Sequence, residues 1–208
     1  MAKGFANTQT IKPSRQVPEG YKTLFDIVKE RSGGDAKPFS WYRKTVKEAS
    51  TNYKVNVGTY SKDKEQLINE IRNKTVEHHL YMFEYKAKMR WLPYYDRFPL
   101  VYVLKSQKEE FWGVNLHYLS PKKRLIATKK LLQGRIDLPK ACFHKYIHAH
   151  VENGVYIDLA TVEWDSAILL PTEDFVRNLN GMLFPIDKKT VWDDTDDVFY
   201  DKIIRSKK

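Results

Sequence analysis

The chain has 208 residues, 42% of them apolar and 13% aromatic, a composition that builds a packed core and excludes global disorder. Its 36 Lys and Arg outweigh 26 Asp and Glu to give +10, a balance that suits a polyanionic partner and serves equally to keep a surface solvated. A single cysteine, Cys142, excludes an internal disulfide or a cysteine zinc site, and no signal-peptide core or membrane-length apolar run occurs.

In chain order, residues 1–20 are polar, carry Pro13, Pro18 and Gly20, and read as an extended N-terminal arm. Residues 21–77 read as a helical segment. Thr23 caps a turn bearing Leu24, Ile27 and Val28, with Asp26 at its positive end, and Gly33-Gly34 breaks it. Pro38 to Ala49 predicts a second helix, with Ser40 as cap and Trp41, Tyr42 and Val46 as apolar positions. Ser61 opens a third whose stripe is Leu67, Ile68 and Ile71.

From residue 78 to 185 the pattern predicts an α+β core domain. Leu80, Met82, Phe83 and Tyr85 read as a strand, and the apolar run Leu100 to Leu104 as a central one. Phe111 to Leu119 reads as its hairpin partner across the polar turn Lys105 to Glu110. Ser120-Pro121 starts a helix that Gly134 ends, and a second helix is expected from Pro139 to His150. Val155 to Ala160 and Glu163 to Leu170 read as paired strands, with a short helix from Thr172 to Leu179. Residues 186–208 read as a charged C-terminal tail containing Asp193-Asp194-Thr195-Asp196-Asp197. The expected fold class is α+β: a small, mostly antiparallel sheet with flanking helices and extended N- and C-terminal arms.

Tests for chemistry point away from an enzyme. His144 and His148 share a face if helical, but Lys145 stands where a zinc protease needs Glu, and no acidic third ligand follows. His78 and His79 face opposite ways on a strand. Cys142 suits a small core position on a helix rather than a nucleophile. Gly33-Gly34 lacks the residues of a phosphate loop, and Glu163 and Asp165 flank Trp164 on a strand and so face solvent. No catalytic residue, metal or cofactor is expected.

Two basic clusters suit anion binding: Lys86, Lys88 and Arg90 leading into Trp91, Tyr94 and Tyr95, and Lys122, Lys123 and Arg124 at a helix start. The first suits a protein interface equally well, and the second also reads as a solvated helix face. Between Pro93 and Pro99, Asp96 and Arg97 lie in an extended loop where they can bridge backbone groups. Asn115 and His117 share a strand face with Gly113, whose place in a strand signals a close backbone approach.

Three ordered motifs carry a resemblance: Trp91-Leu92-Pro93-Tyr94-Tyr95-Asp96-Arg97-Phe98-Pro99-Leu100, Trp112 to Pro121, and Glu163-Trp164 leading into Leu169-Leu170-Pro171-Thr172-Glu173. Over roughly residues 78–193 the chain resembles a family of small virion structural proteins of T4-like, contractile-tailed bacteriophages. The resemblance implies a virion protein, made in the host cytoplasm, that docks neighbouring subunits of a multi-subunit assembly. It points first to the tail or baseplate, and alternatively to a head–neck protein that protects DNA ends or to another nucleic-acid-binding phage protein. It also implies that Trp91, Tyr94, Tyr95, Asp96, Arg97, Gly113, Asn115, His117 and Trp164 define the fold or an interface.

Overall fold

Alternating side chains from Leu80 onward sort onto two faces of a sheet, and each face closes its own core. The computed structural model describes residues 24–58, 75–88, 92–159 and 163–205. Five strands, β1 (Leu80–Tyr85), β3 (Leu100–Ser106), β4 (Glu110–Asn115), β5 (Phe143–Ile147) and β6 (Val151–Leu159), pair antiparallel in the order β5-β4-β3-β1-β6. A second antiparallel sheet joins β2 (Tyr95–Asp96), β7 (Phe175–Leu179) and β8 (Met182–Pro185) in that order. The fold is α+β with antiparallel sheets.

The larger sheet is curled into an open barrel. Flat, its edge strands would lie roughly 19 Å apart at ordinary strand spacing, yet the single turn His148–His150 joins β5 to β6. Tyr146 of β5 meets Phe83 and Tyr85 of β1 at ring distances of 5.3 and 5.0 Å. The concave face thereby encloses Tyr81, Phe83, Val101, Val103, Phe111, Tyr146, Val151 and Tyr156. Gly113 belongs to this curl, because a Cβ there would sit 2.3 Å from Val101 Cγ1 and 2.8 Å from the Tyr102 carbonyl oxygen.

Leu80, Met82, Leu100, Tyr102 and Val114 on the convex face meet the helices. These are α1 (Leu24–Ser32), α2 (Phe39–Gly58), α3 (Pro121–Leu132), α4 (Trp164–Ala167) and α5 (Lys188–Arg205). They contribute Phe25 and Val28, Val46 and Ala49, Ala127 and Leu131, Trp164 and Ala167, and Val191. Each large apolar side chain buried here contributes about 1.5–3 kcal/mol.

Several expectations are corrected. Pro139 to His150 is not a helix but the 3-10 turn Lys140–Cys142, strand β5 and the turn His148–His150. Residues 143–147 alternate, and pairing with β4 satisfies their backbone while Tyr146 turns inward and Lys145 outward. The strand expected at Glu163 to Leu170 is the short helix α4, and Glu163 is buried rather than facing solvent. The helix expected from Thr172 is β7 instead. It turns into β8 through Asn180-Gly181, both at positive φ, the geometry of a tight two-residue hairpin.

Strand β4 stops at Asn115, whose side chain accepts from the His117 N–H and starts the 3-10 turn Leu116–Tyr118. The segment read as a charged tail is helical over Lys188–Arg205, where Val191 and Thr195, four apart, turn one stripe into the core. The arm 1–20, Thr23, the third helix with Leu67, Ile68 and Ile71, and Arg90 and Trp91 lie outside the described residues.

Candidate functional site

The phage-like motifs converge on one buried polar network. Asp96, 3% exposed on β2, accepts from the N–H groups of Phe98 and Asp174 through Oδ1 at 3.0 and 3.2 Å. Its Oδ2 meets His117 Nδ1 at 2.7 Å and accepts from Asn115 Nδ2 at 3.3 Å. His117 Nε2 lies 3.3 Å from Thr172 Oγ1, and the His117 carbonyl accepts from Trp192 Nε1 at 2.9 Å. Burial pushes the Asp96 carboxyl up, but the His117 imidazole and the hydrogen bonds outweigh it and hold the group below the ordinary range.

Arg124 anchors the adjoining half of the network. Its place at a basic helix start suggested a surface cation, yet it is fully buried. Its guanidinium donates to the carbonyls of Leu119, Ile168 and His117 at 2.7, 3.2 and 3.4 Å and pairs with buried Glu173. It is therefore withdrawn from any anion-binding role. Burial raises the Glu173 carboxyl, and His117 and Arg124 together reverse the shift and keep it low. Lys188 closes the site, 3.8 Å from Glu173 Oε2 and 4.0 Å above the Phe39 ring. With every strong donor engaged inside the protein, this network ties β2, the turn after β4, α3, the segment before β7 and α5 together.

The remaining motif residues divide between core and surface. Trp164 is buried and donates to the Leu159 carbonyl at 3.0 Å, while Tyr95 is buried against Ala87 and Val176. Tyr94 reaches Asp194 at 3.3 Å. Lys122 is exposed, and Lys123 is paired with Asp196. His144 sits on β5 against Tyr118, and burial pushes its imidazole down to about 4. His148 instead lies on the following turn, 2.6 Å from the Tyr156 hydroxyl. The two do not converge on a common site, and no metal-binding group of three or more His, Cys, Asp or Glu occurs among the described residues. Burial raises the Cys142 thiol to about 12, far from the reactive thiolate.

The accessible chemistry lies at a cleft of about 450 Å³ between α2, the end of β1 and the smaller sheet. Arg43, Lys44, Lys47, Lys86 and Arg97 line it, against Glu84, Glu152 and Asp174. Arg97 grips Asp174 at 2.9 and 2.6 Å, and Lys47 pairs with Glu84. Lys86 and Lys88 are both exposed, because Ala87 between them turns inward against Tyr95 and Val176. Lys86 also borders a second hollow of about 680 Å³ with Lys88 and the turn of the β7–β8 hairpin. Of these residues the sequence singled out Lys86 and Lys88 for anion binding and Arg97 as a fold-defining or interface position. Arg43, Lys44 and Lys47 are signalled by nothing more than their spacing on one side of α2.

The fold is an α+β protein in which a basic cleft lies beside a buried polar network. The chain belongs to the family of the phage T4 terminal DNA protecting protein, which matches residues 25–138. That stretch runs from α1 to a few residues past α3 and includes Arg43, Lys44, Lys47, Lys86 and Arg97. No curated protein and no solved structure matches the chain. The phage setting implied by the resemblance stands, and nothing in the match supports a tail or baseplate position.

Proposed function

We propose that this protein binds the ends of the phage genome at the head–neck region of the virion and shields them by occupancy rather than catalysis. The observation that carries this reading is the cationic cleft lined by Arg43, Lys44, Lys47, Lys86 and Arg97, within the stretch that matches the DNA-protecting family. Cations arrayed along a groove suit the phosphates of a duplex. The described residues contain no helix long and apolar enough to cross a membrane, and the reading needs none.

Purified protein is expected to protect a linear duplex from a double-strand exonuclease. Its affinity should fall with salt at a slope of about −0.9 per phosphate contacted. Undiminished digestion at saturating protein, or binding indifferent to salt, overturns the reading. A second role, docking on a neighbouring virion protein, is favoured by exposed Ile126, Leu132 and Ile136 along and just beyond α3. Co-assembly with virions that is lost on converting all three to serine tests it.

A further inference from the structure

We infer that the β7–β8 hairpin is a stacking platform for the exposed face of a terminal base pair, so that the protein prefers duplex ends to duplex interiors. The inference rests on the DNA-binding reading above and adds the element that distinguishes an end. Cross-strand register sets Leu179 opposite Met182 and Arg177 opposite Phe184, so these four side chains share one face of the hairpin. All four are exposed, with Leu179, Met182 and Phe184 at 50, 63 and 43%. Nothing else in the described chain covers them, although nearer β2 the same face is packed into the core through Phe175.

A bare apolar patch calls for a partner. The surrounding charge defines its kind. Arg177 lies on the patch itself, held by a bond from its Nε to the Pro93 carbonyl at 2.7 Å. Lys86 and Lys88 face the hairpin turn across the second hollow. A partner with a flat apolar face bordered by anions fits this arrangement. The end of a duplex offers that combination: the outer faces of the last base pair, flanked by its phosphates. The interior of a duplex hides those faces. Phe184 and Met182 then stack on the terminal pair while Arg177, Lys86 and Lys88 contact the nearest phosphates.

The test compares the full chain on a blunt-ended duplex and on the same sequence closed at both ends by loops, read by fluorescence anisotropy at fixed salt. The open duplex is expected to bind at least about tenfold more tightly, the factor given by about 1.4 kcal/mol, which one base stacked on an aromatic ring readily supplies. M182S/F184S should abolish that preference and leave affinity for the closed duplex unchanged, whereas F184W should keep it. Because these side chains are exposed, unchanged circular dichroism and closed-duplex binding report an intact fold. Equal affinity of the wild-type protein for both duplexes, or a preference that survives M182S/F184S, overturns the inference while leaving DNA binding in place. A wild-type protein that binds neither duplex removes the DNA-binding reading itself. Loss of self-association in M182S/F184S with no change in end preference assigns the hairpin to protein contact and also overturns the inference.

Discussion

Asp96→Asn is the sharpest probe of the buried network. The substitution preserves shape, and the remaining oxygen still accepts from the N–H groups of Phe98 and Asp174. The new amide, however, points its N–H groups at Asn115 Nδ2, itself a donor, and at His117 Nδ1. Leaving a buried polar group without its partner costs about 1–3 kcal/mol and more where the lost acceptor is charged, and the two retained backbone bonds keep this change at about 3 kcal/mol. For a chain of this size, a loss of about 3 kcal/mol lowers the melting temperature by about 6–12 °C.

The pH dependence supplies a second reading of the same variant. Folding holds Asp96 below the ordinary carboxylate range, so on acidification the unfolded chain takes up the proton first. The stabilisation is therefore complete above the unfolded value of about 3.9 and disappears as pH falls through the lower folded value. Asn cannot titrate, so the gap between wild type and variant should be widest near pH 7 and narrow in acid. Thermal or urea unfolding across that range measures both quantities. A loss below about 1 kcal/mol at pH 7, or a gap that stays constant into acid, would refute this account of the network.

Arg124→Met takes from the buried Glu173 carboxylate its direct partner and leaves Lys188, 3.8 Å away, and should cost about 3–5 kcal/mol in urea unfolding. Adding Glu173→Gln should restore part of that loss, the coupling being read from a double-mutant cycle. Gly113→Ala places a methyl group against Val101 and the Tyr102 carbonyl, with an expected loss of about 1–3 kcal/mol visible in the urea midpoint. Burial raises the Cys142 thiol to about 12, with Asp196 adding to the shift. A thiol reagent at mildly alkaline pH should therefore label no cysteine in the native protein and one after denaturation.

Local pattern made much of the sheet legible. Leu80 to Tyr85 and the run from Leu100 are dense in β-branched and aromatic residues, and the polar turn after Leu104 joins neighbours in sequence, so the β3–β4 hairpin needed no distant information. The hairpin of β7 and β8 was equally marked by Asn180-Gly181, a strong short-range turn signal that the chain also carries at Asn153-Gly154, but a cap at Thr172 suggested a helix over the same residues. Phe143 to Ile147 fits either period over so few residues. An open edge on β4 decides for the strand.

The site divides in the same way. The motifs around Asp96, His117 and Glu173 stood out as unusual runs of aromatic and polar residues, and the shared neighbourhood of Gly113, Asn115 and His117 was visible from alternation. That Asp96 and His117 touch was not, since 21 positions separate them and only the passage of β2 beneath the turn after β4 brings them together. Arg124 looked like its exposed neighbour Lys122, because a helix start bears cations whether they face water or a buried carboxylate; Glu173, 49 residues away, settles which.

Composition and periodicity alone determined that this chain would be a basic α+β protein with antiparallel strands, because strand burial and hairpin closure act between near neighbours. Tertiary structure alone decided which cations remain available. Burial removes Arg124 and pairing engages Lys123, whereas the packing of α2 against the sheets gathers Arg43, Lys44 and Lys47 beside Lys86 and Arg97, where Arg43 and Arg97 share a single carboxylate, Asp174. Charge is written residue by residue, but a binding surface exists only where the fold leaves cations together, facing water, and incompletely neutralised by the carboxylates around them.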